Sequence, residues 1–293
     1  MSDTLNMLLD PAATQFETRD LMLVIGVCAP MCLGGMLVLW RLITRLGKAG
    51  GSITLESFLL GVPLALAALM LPDLLLYLVF RDAYTQNRSG FALPYGLLQV
   101  VITGSCIAAL RLHPWELKGA PRREWTRLDL PAQAKTVGAW MLAVPVIICS
   151  MMLAVALARA LGWPIEQQTV LTDLTRDKTA LRVAGAYAMA ALGVPLAEEF
   201  AFRLVLFGGL RGLIAGREEK GPAVALAFVL SIALFVFAHG VWRPEQFYLA
   251  LPLTMLSILL TLVYQQTRSI WTCVMFHALH NSLVLTLQFT LTP

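Results

Sequence analysis

Charge is what this sequence is shortest of. Asp, Glu, Lys and Arg make up 14% of its 293 residues, against 58% hydrophobic residues and a mean hydropathy of +0.73. Soluble globular chains carry about 25% charged residues, so a soluble domain is excluded and a polytopic membrane protein is predicted. Histidine is scarcer still, with four in the whole chain. The five cysteines (Cys28, Cys32, Cys106, Cys149 and Cys273) all fall in apolar runs, and their odd number argues against a disulfide framework. Cys28 and Cys32 are one helical turn apart, but no histidine or further cysteine accompanies them, so they read as small packing residues. The net charge of +4 leaves no basic footprint for nucleic acid. Two catalytic signatures are missing as well. There is no Gly-x-Ser-x-Gly elbow and no His-Glu-x-x-His zinc motif. Internal repeats, heptad arrays and low-complexity tracts are absent too.

What is present is a series of eight apolar runs, at roughly 21–43, 57–80, 91–110, 137–159, 180–214, 222–241, 246–265 and 270–289. They predict an all-α bundle of about eight membrane helices. The first is too long for a signal-peptide core, and its flank (Asp3, Asp10, Glu17, Asp20) is acidic apart from Arg19, so it reads as a retained helix. The fifth exceeds one span and holds Pro195, which lacks a backbone N–H and predicts a kinked helix carrying Glu198. The sizeable polar segment, Arg111 to Thr136, is rich in Arg, Lys, Trp and Pro and reads as an interfacial loop. It predicts a division into an N-terminal part, 1–136, and a C-terminal bundle, 137–293. Lys and Arg counts in alternate loops favour external termini.

A few polar side chains interrupt the apolar runs of the last third: Glu198, Glu199, His239, His277 and Asn281. Groups of this kind at membrane depth are costly unless paired or wet, which makes them functional candidates by default. Glu199 and Arg203 are four apart with the acid first, the favourable order for an ion pair on one helix face. Glu198 points about 100° away from that face and is the better placed of the two for proton transfer. Phe235 and His239 share a face, as do His277 and Asn281. The last pair offers donors for the oxygen of a polarised carbonyl. An acid, a histidine and a donor pair are the parts needed for attack of water on an amide. Glu198, His239 and His277 also form an alternative, the ligand set of a catalytic zinc. His280 reads as a packing histidine, and Asp73 as interfacial or structural.

Taken in order, Glu-Glu-x-x-x-Arg at 198–203, Phe-x-x-x-His at 235–239 and His-x-x-x-Asn at 277–281 resemble the CPBP family, with the likeness extending over roughly residues 180–289. That family comprises type II CAAX prenyl proteases and bacteriocin-processing or self-immunity proteins. The resemblance implies an intramembrane glutamic endopeptidase whose bundle encloses a wet cavity. Carried onto this chain, Glu198 with His239 would activate water, while His277 and Asn281 would stabilise the oxyanion. Glu199, Arg203 and Phe235 would support them, with no metal required. One departure is Leu204, where family members commonly have Gly after the motif arginine. The expected partners are a peptide or membrane-protein substrate and the lipid bilayer, with no nucleic acid, in the inner or plasma membrane of a prokaryote. Two other functions use the same residues: a proton-coupled transporter, and an immunity or scaffold protein that binds peptide without cutting it.

Overall fold

The computed structural model describes residues 22, 26–37, 52–53, 55–112, 117–118, 128, 130–166, 169–176, 178–215 and 221–291. The acidic N-terminal flank and most of the 111–136 segment lie outside the described residues. Helices account for nearly all of the described chain: α1 (26–37), α2 (Leu55–Gln86), α3 (Ala92–Leu112), α4 (Leu130–Ala160), α5 (Thr169–Thr175), α6 (180–215), α7 (Gly221–Ala238), α8 (Ala250–Thr267) and α9 (Ile270–Leu291). Two residues on each side, β1 (Ser52–Ile53) and β2 (Leu117–Lys118), form a small antiparallel pair. The architecture is an all-helical bundle. Among the described residues six helices are long and apolar enough to cross a membrane, and α1 and α7 are apolar but shorter. This is an integral membrane protein.

The chain forms two compact units, each threaded from separate stretches: 1–47, 138–168 and 232–259 in one, and 48–137, 169–231 and 260–293 in the other. In the first unit Cys28, Cys32, Cys149 and Ala156 form a buried cluster with Met152 and Leu153 packed against it. The Cys32 thiol points to the Val146 carbonyl, and the Cys149 sulfur lies 3.8 Å from that of Met31. No disulfide is formed by any of the five cysteines. Elsewhere in this unit the Glu166 carbonyl accepts from Gln246 and Tyr248, and Trp163 meets Phe247 edge-on.

The second unit is built around α6. Its core holds Phe200, Leu204, Phe207, Leu260, Ile270, Phe276 and Leu285, all nearly inaccessible. Phe207 meets Phe228 and Tyr264 edge-on, the favoured approach of two ring quadrupoles. Helix α3 packs flush against α6 because the side chains that would keep them apart are missing. A Cβ at Gly96 would stand 2.6 Å from the backbone of Ala188 and Met189. One at Gly193 would stand 2.9 Å from the Gly96 carbonyl. Leu204 fits a close-packed wall as a fully buried side chain, where the family's usual Gly would leave space.

Helix α6 is not regular. Ala188–Gly193 and Glu199–Phe207 are π-helical, with α-helical Val194–Glu198 between them. The disturbance expected at Pro195 takes this form, two wide-turn stretches on either side of it. In the first, Val194 donates to the carbonyl of Met189, five residues back. By that register the carbonyl of Ala190 would receive residue 195, which as proline has no N–H to give. π-Helical turns are rare and concentrate at functional sites.

Candidate active site

Within the second unit four of the singled-out side chains come together. Glu199 is fully buried and its Oε2 lies 3.2 Å from the Arg203 Nε, one turn along and also fully buried. Its Oε1 lies 2.7 Å from His277 Nδ1, contributed by α9. An ionised carboxylate can only accept, so His277 Nδ1 carries the proton and donates it. In the neutral ring the lone pair then resides on Nε2. That nitrogen faces the adjacent acid, at 3.8 Å from Glu198 Oε2. His277 thus stands between the two glutamates, its Nδ1–H given to Glu199 and its Nε2 facing Glu198.

Burial follows the same division. The Glu199 and Arg203 side chains have no exposure, whereas that of Glu198 retains 16%. A charge held where water cannot reach must be neutralised in place, and Arg203 does this for Glu199. Glu198 keeps part of its side chain accessible, while the Oε2 that faces His277 is itself buried.

Asn281 follows His277 by one turn of α9. Its Nδ2 donates to the Ala190 carbonyl at 2.8 Å. This is the carbonyl that Pro195 leaves without a partner in the π register, so Asn281 supplies by side chain the donor that α6 lacks. The bond uses one of the amide's two N–H groups and ties α9 to α6 beside the acidic pair.

His239 and Phe235 belong to the other unit. Their rings lie 4.3 Å apart between centroids, on one face of α7 as the spacing predicts. The Phe235 carbonyl accepts from His239 Nδ1 at 2.7 Å, which fixes a proton on Nδ1. Both histidines of the motifs therefore spend an Nδ1–H on a protein acceptor. Among the described residues no three His, Cys, Asp or Glu side chains are gathered in a way suited to a metal ion. The zinc alternative draws Glu198 and His277 from the second unit and His239 from the first.

Among the polar side chains of α2 and α3, the sequence drew attention to Asp73, read as interfacial or structural. Asp73 accepts from the Tyr84 hydroxyl, three turns further along α2. Gln99, on α3, is buried, and its Nε2 donates to the Ala68 carbonyl of α2 at 3.2 Å. No motif announces these residues. The available signal was Asp73 itself, a lone acid in an apolar run.

Residues 181–283 match the family model described as Type II CAAX prenyl endopeptidase Rce1-like. The matched segment contains the motifs at 198–203, 235–239 and 277–281 in full. The resemblance to the CPBP family read from those motifs therefore stands. No curated protein and no solved structure matches this chain.

Proposed function

From the premise that residues 181–283 form a protease segment of the type II CAAX prenyl endopeptidase, Rce1-like kind, we propose that this chain is an intramembrane endopeptidase in which Glu198 activates the attacking water. The observation that carries this reading is the asymmetry around His277. Glu199 Oε1 is 2.7 Å from Nδ1, while Glu198 Oε2 stands 3.8 Å from Nε2. Two acceptors at that separation suit a water that donates one proton to each. The water oxygen would attack the peptide carbonyl carbon as Glu198 takes a proton, giving a tetrahedral oxyanion. The second N–H of Asn281 would serve that oxyanion. The proton on Glu198 would then pass to the departing amine as the C–N bond breaks. His239 would assist water activation as the family resemblance implies.

The reaction is proposed to run without a resident metal. The substrate class is a peptide reaching the site from the membrane or its cytoplasmic face, with a prenylated C-terminus as the candidate named by the matched family. Residues 137–293 would form the peptidase bundle and 1–136 would modify access to it, in the plasma membrane of a prokaryote.

The test is proteomic comparison of membranes carrying the wild-type protein with membranes carrying Glu198→Gln or His239→Ala. Cleavage products present with wild type and missing with both variants, at equal expression, are the expected result. Products that persist in Glu198→Gln would overturn the assignment of the base. Cleavage lost in chelator and restored by zinc would establish the metal alternative. Proton-driven flux without any cut peptide would establish the transporter.

A further inference from the structure

Helix α3 lies outside the matched segment, yet its inward face carries two polar side chains that the second unit buries. Ala92, Gly96, Gln99, Thr103, Ile107 and Leu110 recur every three or four residues and form the buried stripe of this helix. Gln99 is 2% exposed and Thr103 0%.

One end of the Gln99 amide is accounted for. Its Nε2 donates to the Ala68 carbonyl of α2 at 3.2 Å. In an α-helix that carbonyl would receive the N–H of residue 72, which is proline and has none. The bond fixes the orientation of the amide, since the opposite flip would set two oxygens against each other. Oε1 is left buried, with no hydrogen-bond partner among the described residues.

Thr103 Oγ1 is likewise buried and has no such partner among the described residues. A helical hydroxyl has an easy acceptor in the carbonyl four residues back. Ser105 takes that bond with Val101 at 2.8 Å, and Thr136, Thr175 and Thr267 do the same in their own helices. Thr103 does not, so its hydroxyl is turned to something else. Orphaned polar atoms are costly in a packed interior, and proteins commonly satisfy them with an ordered water. Residues one helical turn apart have Cβ atoms about 5–6 Å apart. Two hydrogen bonds of about 2.8 Å through one oxygen cover such a span.

The packing gives this turn of α3 its place. Leu93 lies on Gly185, Gly96 on Ala188 and Met189, and both Gly96 and Gln99 on Gly193. The two helices therefore run side by side in the same direction. The next turn of α3, at Thr103, falls level with Val194–Glu198, a stretch that α3 also contacts.

We propose that Gln99 and Thr103 hold a water molecule inside the second unit, at the level of the stretch that ends in Glu198. The water donates one O–H to Gln99 Oε1 and accepts from the Thr103 hydroxyl, which leaves its second O–H for a backbone carbonyl. This site is independent of the role given to Glu198, and it stands or falls on the two α3 side chains alone.

The experiment uses the full-length protein in lipid nanodiscs, as wild type, Thr103→Val and Thr103→Ser. Structures are determined at a resolution that shows ordered water, and unfolding temperatures are measured for all three. In the wild type we expect a density peak about 2.6–3.2 Å from both Gln99 Oε1 and Thr103 Oγ1. Thr103→Val should lose the peak and unfold about 2–4 °C lower, while Thr103→Ser keeps both peak and unfolding temperature. The sign of the valine shift is decisive. A hydroxyl buried dry would be relieved by its apolar isostere, so a rise in unfolding temperature overturns the water site. A wild-type map with no peak, or with one that reaches a single oxygen, overturns it too, even if valine is destabilising. Should Thr103→Val fail to fold, the wild-type and Thr103→Ser maps decide alone.

Discussion

Two places in this molecule gather polar or polarisable side chains within apolar helices, and they solve the problem in opposite ways. In the second unit Glu199, Arg203 and His277 are joined by short polar contacts, 3.2 Å and 2.7 Å long. In the first unit Cys28, Cys32 and Cys149 sit among methionine, leucine and alanine, with contacts of 3.6 Å and 3.8 Å. A thiol needs little from its surroundings and behaves as a small hydrophobe. A carboxylate or guanidinium at such depth needs a partner of opposite charge, and loses several kcal/mol when that partner goes. The first cluster tolerates substitution; the second is an all-or-none assembly.

The sharpest way to break this contrast is Arg203→Met, which leaves Glu199 buried and uncompensated. It should destabilise the protein by about 3–5 kcal/mol, seen as a large fall in unfolding temperature in detergent. The double variant Glu199→Leu with Arg203→Met should recover much of that loss, because no charge is then stranded. A smaller effect is expected at the α3–α6 contact. Gly96→Ala forces the backbone of Ala188 and Met189 to move and should cost about 1–3 kcal/mol by the same measurement.

Next comes Asn281→Leu, which removes the donor to Ala190 and should cost about 1 kcal/mol. Here the companion variant sharpens the reading. Pro195→Ala restores a backbone N–H to α6, so Asn281→Leu should cost less in that background, as a double-mutant cycle would show. Additive effects would mean that Asn281 does not compensate for the proline. The smallest change is expected from Cys28→Ala, whose unfolding temperature should correspond to a loss of about 1 kcal/mol or less. If it equalled Arg203→Met, the sulfur cluster would have to be more than packing.

How far the sequence led depends on the kind of interaction. Apolar runs at 180–214 and 270–289 correspond to α6 and α9, because span length is imposed by the bilayer and leaves a mark in every residue. The contact of Glu199 with Arg203 was legible because it is local, four residues within one helix. That of His277 with Glu199 bridges 78 positions, and no spacing rule reaches so far. It places the histidine against both acids rather than with Asn281 alone, as the helix-face argument had grouped it. The π-helical stretches were invisible for another reason. Hydrophobic periodicity carries no signal in a helix buried on most sides, and Pro195 announces a disturbance without saying which. The contact of α3 with α6 was hidden by the same density of apolar neighbours: Gly96 and Gly193 look like any other glycines until a second helix lies on them.

The wide turns of α6 have a consequence for how this helix can change length. A π-helical stretch holds more residues per turn than an α-helix does, so Ala188–Gly193 contains slack in the winding ahead of the acidic pair. Deleting one residue there would be absorbed by tightening the coil to ordinary pitch, leaving Glu198 and Glu199 facing as before. The same deletion in Val194–Glu198, which is already tightly wound, would swing both acids about 100° around the axis and dismantle the constellation.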